Sequence, residues 1–184
     1  MPREYKLLFA GAMGAGKTTA IAAISDHAPI RTEAVNSDRV QHSKELTTVG
    51  FDYGEIALDG GDRLRLYGMP GQDRFDFMWK VASEGALGVV LLADNSRPDP
   101  LADLALYVES FRALAERSSM VIGIGRAEAG PTSLDDYAAW LDRHGLSVPV
   151  FTVDVRQRED VLLLLDVLLN QIEAREMLTG PANA

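Results

Sequence analysis

Eight residues constrain this chain more than any other stretch: Gly11-Ala12-Met13-Gly14-Ala15-Gly16-Lys17-Thr18. They fit the pattern G-x-x-x-x-G-K-[ST] and stand between an apolar run, Tyr5–Ala10, and a segment of helical character, Lys17–Ser25. Glycines at those places let the backbone curl tightly enough for successive N–H groups to converge on one point. A helix beginning near Lys17 aims the positive end of its dipole at the same point. Such a turn holds phosphate, with Lys17 reaching the terminal phosphates and the Thr18 hydroxyl directed at Mg2+. The candidate phosphate-binding set is Gly11, Met13, Gly14, Ala15, Gly16, Lys17, Thr18 and Thr19.

The rest of the chain fits that setting, because strand-like and helix-like segments alternate throughout. Phe51–Leu58 and Arg63–Met69 flank Asp59-Gly60-Gly61-Asp62, a hairpin turn. Ala86–Ala93 is continuously apolar, the pattern of a strand buried on both faces of a parallel sheet. Asp99–Arg117 carries apolar residues at helical spacing. Met120–Ile124 and Val148–Val153 read as further strands around a helix near Ser133–Arg143, and Gln157–Met177 closes the chain as a helix. About six strands and five helices follow, in one α/β domain over 1–184 with a mostly parallel sheet and helices on both faces. One segment, Arg31–Thr48, is polar and aperiodic, and is expected to be a long functional loop.

Composition excludes several function classes. A net charge of −9 and no basic run speak against nucleic acid or an anionic membrane as partner. Without cysteine there is no thiol catalysis, no zinc–thiolate site and no prenyl or palmitoyl anchor. His27, His42 and His144 have no metal-ligand spacing. The first residues lack the apolar stretch of an export signal, so the expectation is a cytoplasmic protein with no direct membrane anchor.

Two further stretches give the motif a context. Thr47-Thr48-Val49-Gly50 ends the polar loop, and Leu66-Tyr67-Gly68-Met69-Pro70-Gly71-Gln72-Asp73-Arg74-Phe75 ends the second hairpin strand. With the phosphate loop, these resemble the two switch regions of Ras-like small GTPases, over nearly the whole chain. The nearest resemblance is to bacterial Ras-like GTPases of the gliding-motility polarity and actinobacterial gene-cluster types, where Pro-Gly-Gln likewise follows a strand lacking the usual aspartate. The resemblance implies a P-loop NTPase fold of small-GTPase type: a six-stranded, mostly parallel sheet with one antiparallel hairpin strand. It further implies GTP/GDP and Mg2+ as ligands, with Thr18 and Thr48 on the metal. Gly71 would then face the γ-phosphate, and Gln72 would orient the attacking water. Lys17, Thr48 and Gln72 are the implied catalytic residues.

Three positions depart from that pattern. Gly68 stands where the family carries the aspartate that supports Mg2+ through water, and Asp94 at the end of the apolar strand is either an electrostatic substitute or a helix cap. Met13 occupies volume beside the γ-phosphate that Gln72 or an incoming arginine needs, so hydrolysis is expected to be slow. The base-reading motif N-K-x-D becomes Gly125-Arg126-Ala127-Glu128, with Asp154-Val155 at the last base-contacting loop. A Glu128 carboxylate accepts two N–H bonds from guanine, which adenine cannot offer on that edge. The Arg126 stem would cover one face of the base. Gly125 leaves the loop without the asparagine that braces it.

Protein effectors and regulators would then bind through switch I (Arg31–Thr48) and switch II (Pro70–Val81). In the latter, Phe75, Phe77 and Trp79, with Met78, form an aromatic-rich cluster that either faces partners or packs under the next helix. The C-terminal helix has more aliphatic residues than one stripe needs, and burial is the expected use. Two readings compete with a GTPase switch: a nucleotide-binding docking module that barely hydrolyses, and an ATP-binding P-loop protein.

Overall fold

The computed structural model describes residues 2–34, 49–72, 76–117 and 119–179. Its frame is one sheet of seven strands: β1 (Glu4–Ala10), β2 (Ile30–Ala34), β3 (Val49–Ala57), β4 (Arg63–Gly68), β5 (Gly88–Asp94), β6 (Met120–Gly125) and β7 (Val150–Thr152). Their order is β2-β3-β4-β1-β5-β6-β7. From β4 to β7 every pairing is parallel; β3 runs antiparallel to both β2 and β4. All six expected strands are present. The sheet is one strand wider because Ile30–Ala34, which takes in the first residues of the expected Arg31–Thr48 loop, pairs with Val49–Tyr53 at the edge. An edge strand needs no apolar run, since backbone pairing on one side is enough to hold it.

Alternation along β1 divides the core. Leu7 and Phe9 face one side, packed with Val90, Leu92 and Val121 against helices α1 (Lys17–Ile24) and α6 (Arg158–Thr179). Leu8 and Ala10 face the other, with Leu91 and Ile122, under α2 (Asp76–Ser83), α3 (Pro100–Ser110), α4 (Arg112–Ala115) and α5 (Leu134–Arg143). On α6, Val161, Leu164, Leu165, Leu168 and Ile172 are buried, and only Leu163 of the excess aliphatics is well exposed. Burial is the use of that stripe.

Two local features refine the helices. Asp99 caps α3 by accepting from the Ala102 N–H, and Pro100 occupies its first turn. The helix expected to run to Arg117 breaks at Phe111, which leaves helical geometry and buries its ring beside Trp79 before α4 resumes. A reciprocal Ser133–Asp136 capping box starts α5 where the sequence places it. No helix among the described residues is long and apolar enough to cross a membrane. The strand order reverses at β1, so the crevice beyond its carboxyl end is where this architecture opens a ligand site.

Candidate nucleotide-binding site

The loop after β1 occupies that crevice. Gly11 (φ +136°) and Gly16 (φ +98°) lie in backbone regions that suit glycine, and both positions are also crowded. A Cβ on Gly11 would stand 2.1 Å from the Leu92 carbonyl oxygen, and one on Gly16 would stand 2.7 Å from Val155 Cγ2. The motif spacing is therefore enforced by β5 on one side and the loop after β7 on the other. Lys17 opens α1 with its side chain folded back, donating from Nζ to the Gly11 (2.7 Å) and Ala12 (2.8 Å) carbonyls. The first turn of α1 carries no acidic residue to compete with an anion. Burial depresses the Lys17 ammonium to about 8, a shift that the nearby negative charge of Asp52 partly offsets.

Thr18 has an unexpected partner. Its Oγ1 hydroxyl donates to Oδ2 of Asp52, which sits on β3 directly opposite Gly68 of β4. Sequence reasoning missed Asp52 because it lies two strands of sequence away from the motif. The available signal was the glycine at 68, which vacates space beside an antiparallel neighbour.

The segment after β4 packs hard against the phosphate loop. A Cβ on Gly71 would lie 2.5 Å from the Met13 nitrogen, and the Gly71 carbonyl accepts from that nitrogen at 3.2 Å. The Tyr107 hydroxyl donates to the same carbonyl (3.2 Å), and Trp79 Nε1 donates to the Pro70 carbonyl (2.9 Å). Gln72 is brought to Met13, its amide nitrogen 3.9 Å from the sulfur, while Met13 is 67% exposed. Trp79 is fully buried against Tyr107, so it belongs to the core and is not part of a partner-facing cluster. The packing alternative holds for this residue because the indole fills the space between α2 and α3. Thr48 and Phe75 lie outside the described residues.

Beyond the phosphate loop the crevice widens into a cleft of about 730 Å³. Gly14, Ala15, Gly16, Thr19, Arg126, Glu128, Asp154 and Val155 all line it, so part of the predicted phosphate set shares one space with the predicted base residues, while Gly11, Met13, Lys17 and Thr18 are not among its lining residues. That volume is in the range of small-molecule sites. No protein-family model matches this chain, and neither does any curated protein.

At the far end of the cleft, Arg126 adopts a left-handed backbone (φ +52°) and turns its guanidinium inward. It pairs with Asp94 and reaches the Gly14 carbonyl at 3.3 Å, tying the base loop to the phosphate loop. Burial works against the Asp94 charge, yet hydrogen bonds from Ser96 and Arg126 more than offset it and keep the carboxyl below its ordinary range. Asp94 thus caps the turn at Ser96 and anchors Arg126; the cap of α3 is Asp99.

The bracing expected to be missing with Gly125 is present from a different residue. Asn95, 0% exposed, donates from Nδ2 to the Ala127 (2.8 Å) and Thr132 (3.0 Å) carbonyls and accepts from the Tyr137 hydroxyl (2.9 Å). Burial, with Asp94 nearby, raises Tyr137 to about 12, so it remains a donor. Glu128 stays exposed on the short turn that this network shapes. Asp154 is engaged locally, where hydrogen bonds from Arg156 lower its carboxyl to about 2.

Among the described residues no group of three or more carboxylates or histidines could hold a metal alone. Thr18 and Asp52 nevertheless present hard oxygens at the mouth of the phosphate loop. That donor set suits Mg2+, which binds through one or two protein oxygens together with phosphates.

Proposed function

We propose that this chain is a guanine-nucleotide-binding switch of the Ras-like type, hydrolysing GTP slowly with Mg2+ and signalling through protein partners. The observation that supports this most is the continuity of one cleft from Gly14, Ala15 and Gly16 of the glycine loop to Glu128. Backbone N–H groups, the α1 N-terminus and Lys17 hold the phosphates; Glu128 accepts from the guanine edge, and Arg126 flanks it. A bound Mg2+ would neutralise charge developing on the β- and γ-oxygens. Gln72, at the edge of the phosphate loop, would orient water, and Met13 beside it slows that step. Partners would read the Pro70–Val81 segment, whose Pro70 and Gly71 carbonyls are latched to Trp79, Tyr107 and Met13.

The experiment is to denature the purified protein, identify any released nucleotide, and titrate GDP, GTP, ADP and ATP by calorimetry. Lys17→Ala is expected to abolish tight binding, and preference for ATP over GTP would overturn the guanine reading. A second reading, a docking module with negligible hydrolysis, is favoured by the Gln72–Met13 contact alone. It predicts equal, background phosphate release from wild type and Gln72→Leu, where the switch predicts a slower variant.

A further inference from the structure

The Mg2+ support that Gly68 cannot give has a replacement one strand away. We propose that Asp52 of β3 is the positioning carboxylate of the metal site, acting across the sheet through Thr18. This inference rests on the nucleotide-binding reading and adds a residue to it.

Three observations carry it. First, register: Asp52 and Gly68 are direct partners in the antiparallel β3–β4 pair, so their side-chain positions adjoin on the same face. Second, space: a Cβ on Gly68 would stand 3.0 Å from Asp52 Cβ and 3.2 Å from Asp52 Oδ2. The carboxylate lies over the glycine, in the volume that a longer residue at 68 would claim. The absent side chain and the present one are thus two parts of one exchange. Third, hydrogen-bond direction: a threonine hydroxyl has one proton and two lone pairs. Thr18 Oγ1 gives its proton to Asp52, which leaves its lone pairs for a cation at the mouth of the loop. An oriented hydroxyl backed by a negative charge is what a hard divalent ion requires from a loop that otherwise offers N–H groups. The Asp52 charge also acts on Lys17, which places it beside the lysine of the glycine loop.

The test is release of a fluorescent GDP analogue, measured with excess Mg2+ and with EDTA. In wild type, Mg2+ should slow release. In Asp52→Asn that slowing should shrink by about 10–100-fold, as for loss of a supporting residue behind a metal ligand, while release in EDTA stays near wild type. Because Asp52→Asn could affect folding, Gly68→Ala offers an independent route, since the new methyl displaces the carboxylate and leaves Asp52 in place. It should also weaken the Mg2+ effect. Asp52→Ala/Gly68→Asp, which returns the carboxylate to β4, should restore it. An Mg2+ effect unchanged in Asp52→Asn and Gly68→Ala would overturn the assignment. Equal acceleration of release with Mg2+ and with EDTA would also overturn it, because that would make Asp52 a structural brace only. A wild type that binds no nucleotide would overturn the proposed function itself, and this inference with it.

Discussion

Beside the glycine loop, Gly68 on β4 leaves a space that Asp52 of β3 enters; across the cleft, Gly125 ends β6 without a side chain, and Asn95 beyond β5 holds the following loop by its Ala127 and Thr132 carbonyls. The two arrangements differ in completeness. Asn95 is sealed, neutral and satisfied on both its amide groups, so the base loop is built before any ligand arrives. Asp52 is half-buried, accepts from Thr18 and acts on the Lys17 ammonium through its charge, so its surroundings are polar and open where those of Asn95 are closed. At both places a glycine stands beside a polar side chain brought in from elsewhere in the chain, sealed at Asn95 and open at Asp52.

The largest test of that contrast is stability. Asn95→Ala strips the partners from two carbonyls and from the buried Tyr137 hydroxyl, and should cost about 3 kcal/mol in urea unfolding. Asp52→Ala should cost under about 1 kcal/mol, because its desolvation is incomplete. Equal costs would break the distinction between a sealed position and an open one. Next is selectivity: Glu128→Ala should reduce preference for GDP over ADP about tenfold in calorimetry, equivalent to ~1.4 kcal/mol. No change in that ratio would move base recognition away from Glu128.

The smallest expected effect is on pH dependence. Lys17 has its ammonium depressed to about 8, and a phosphate bound beside it would raise it again, so binding above pH 8 would require proton uptake. Nucleotide affinity should therefore be flat near neutrality and fall about fourfold between pH 7 and 8.5. For stability without ligand the sign is the reverse. The folded state binds fewer protons than the unfolded chain between about 8 and 10.5, so stability should rise with pH across that window. A flat affinity profile from pH 7 to 9 would remove Lys17 from phosphate contact.

What the sequence disclosed depended on how local each feature is. The glycine loop, the helix near Ser133–Arg143 and the doubly buried β5 were legible because each is decided within ten residues. Strand β2 was not, since an edge strand is held by backbone pairing and needs no apolar signature. The break at Phe111 was hidden too, because a buried ring satisfies the helical period whether or not the helix continues through it. Asp52 and Asn95 were opaque for a stronger reason. Their roles are set by which strands adjoin, and one-dimensional spacing carries no record of that. Arg126 lines the same cleft as the glycine loop, but its anchor, Asp94, needed the β5–β6 register to be seen.

Trp79 has a bearing on how this molecule can be watched. Its indole is fully buried, donates to the Pro70 carbonyl and lies 4.8 Å from the Tyr107 ring, whose hydroxyl holds Gly71. Any displacement of the Pro70–Gly71 peptide changes the hydrogen bond and the polarity felt by that indole. The other tryptophan, Trp140 of α5, lies stacked on His144 just past the helix end. With Trp140 replaced by Phe, emission reports a single site, and the protein carries its own optical gauge of the segment after β4.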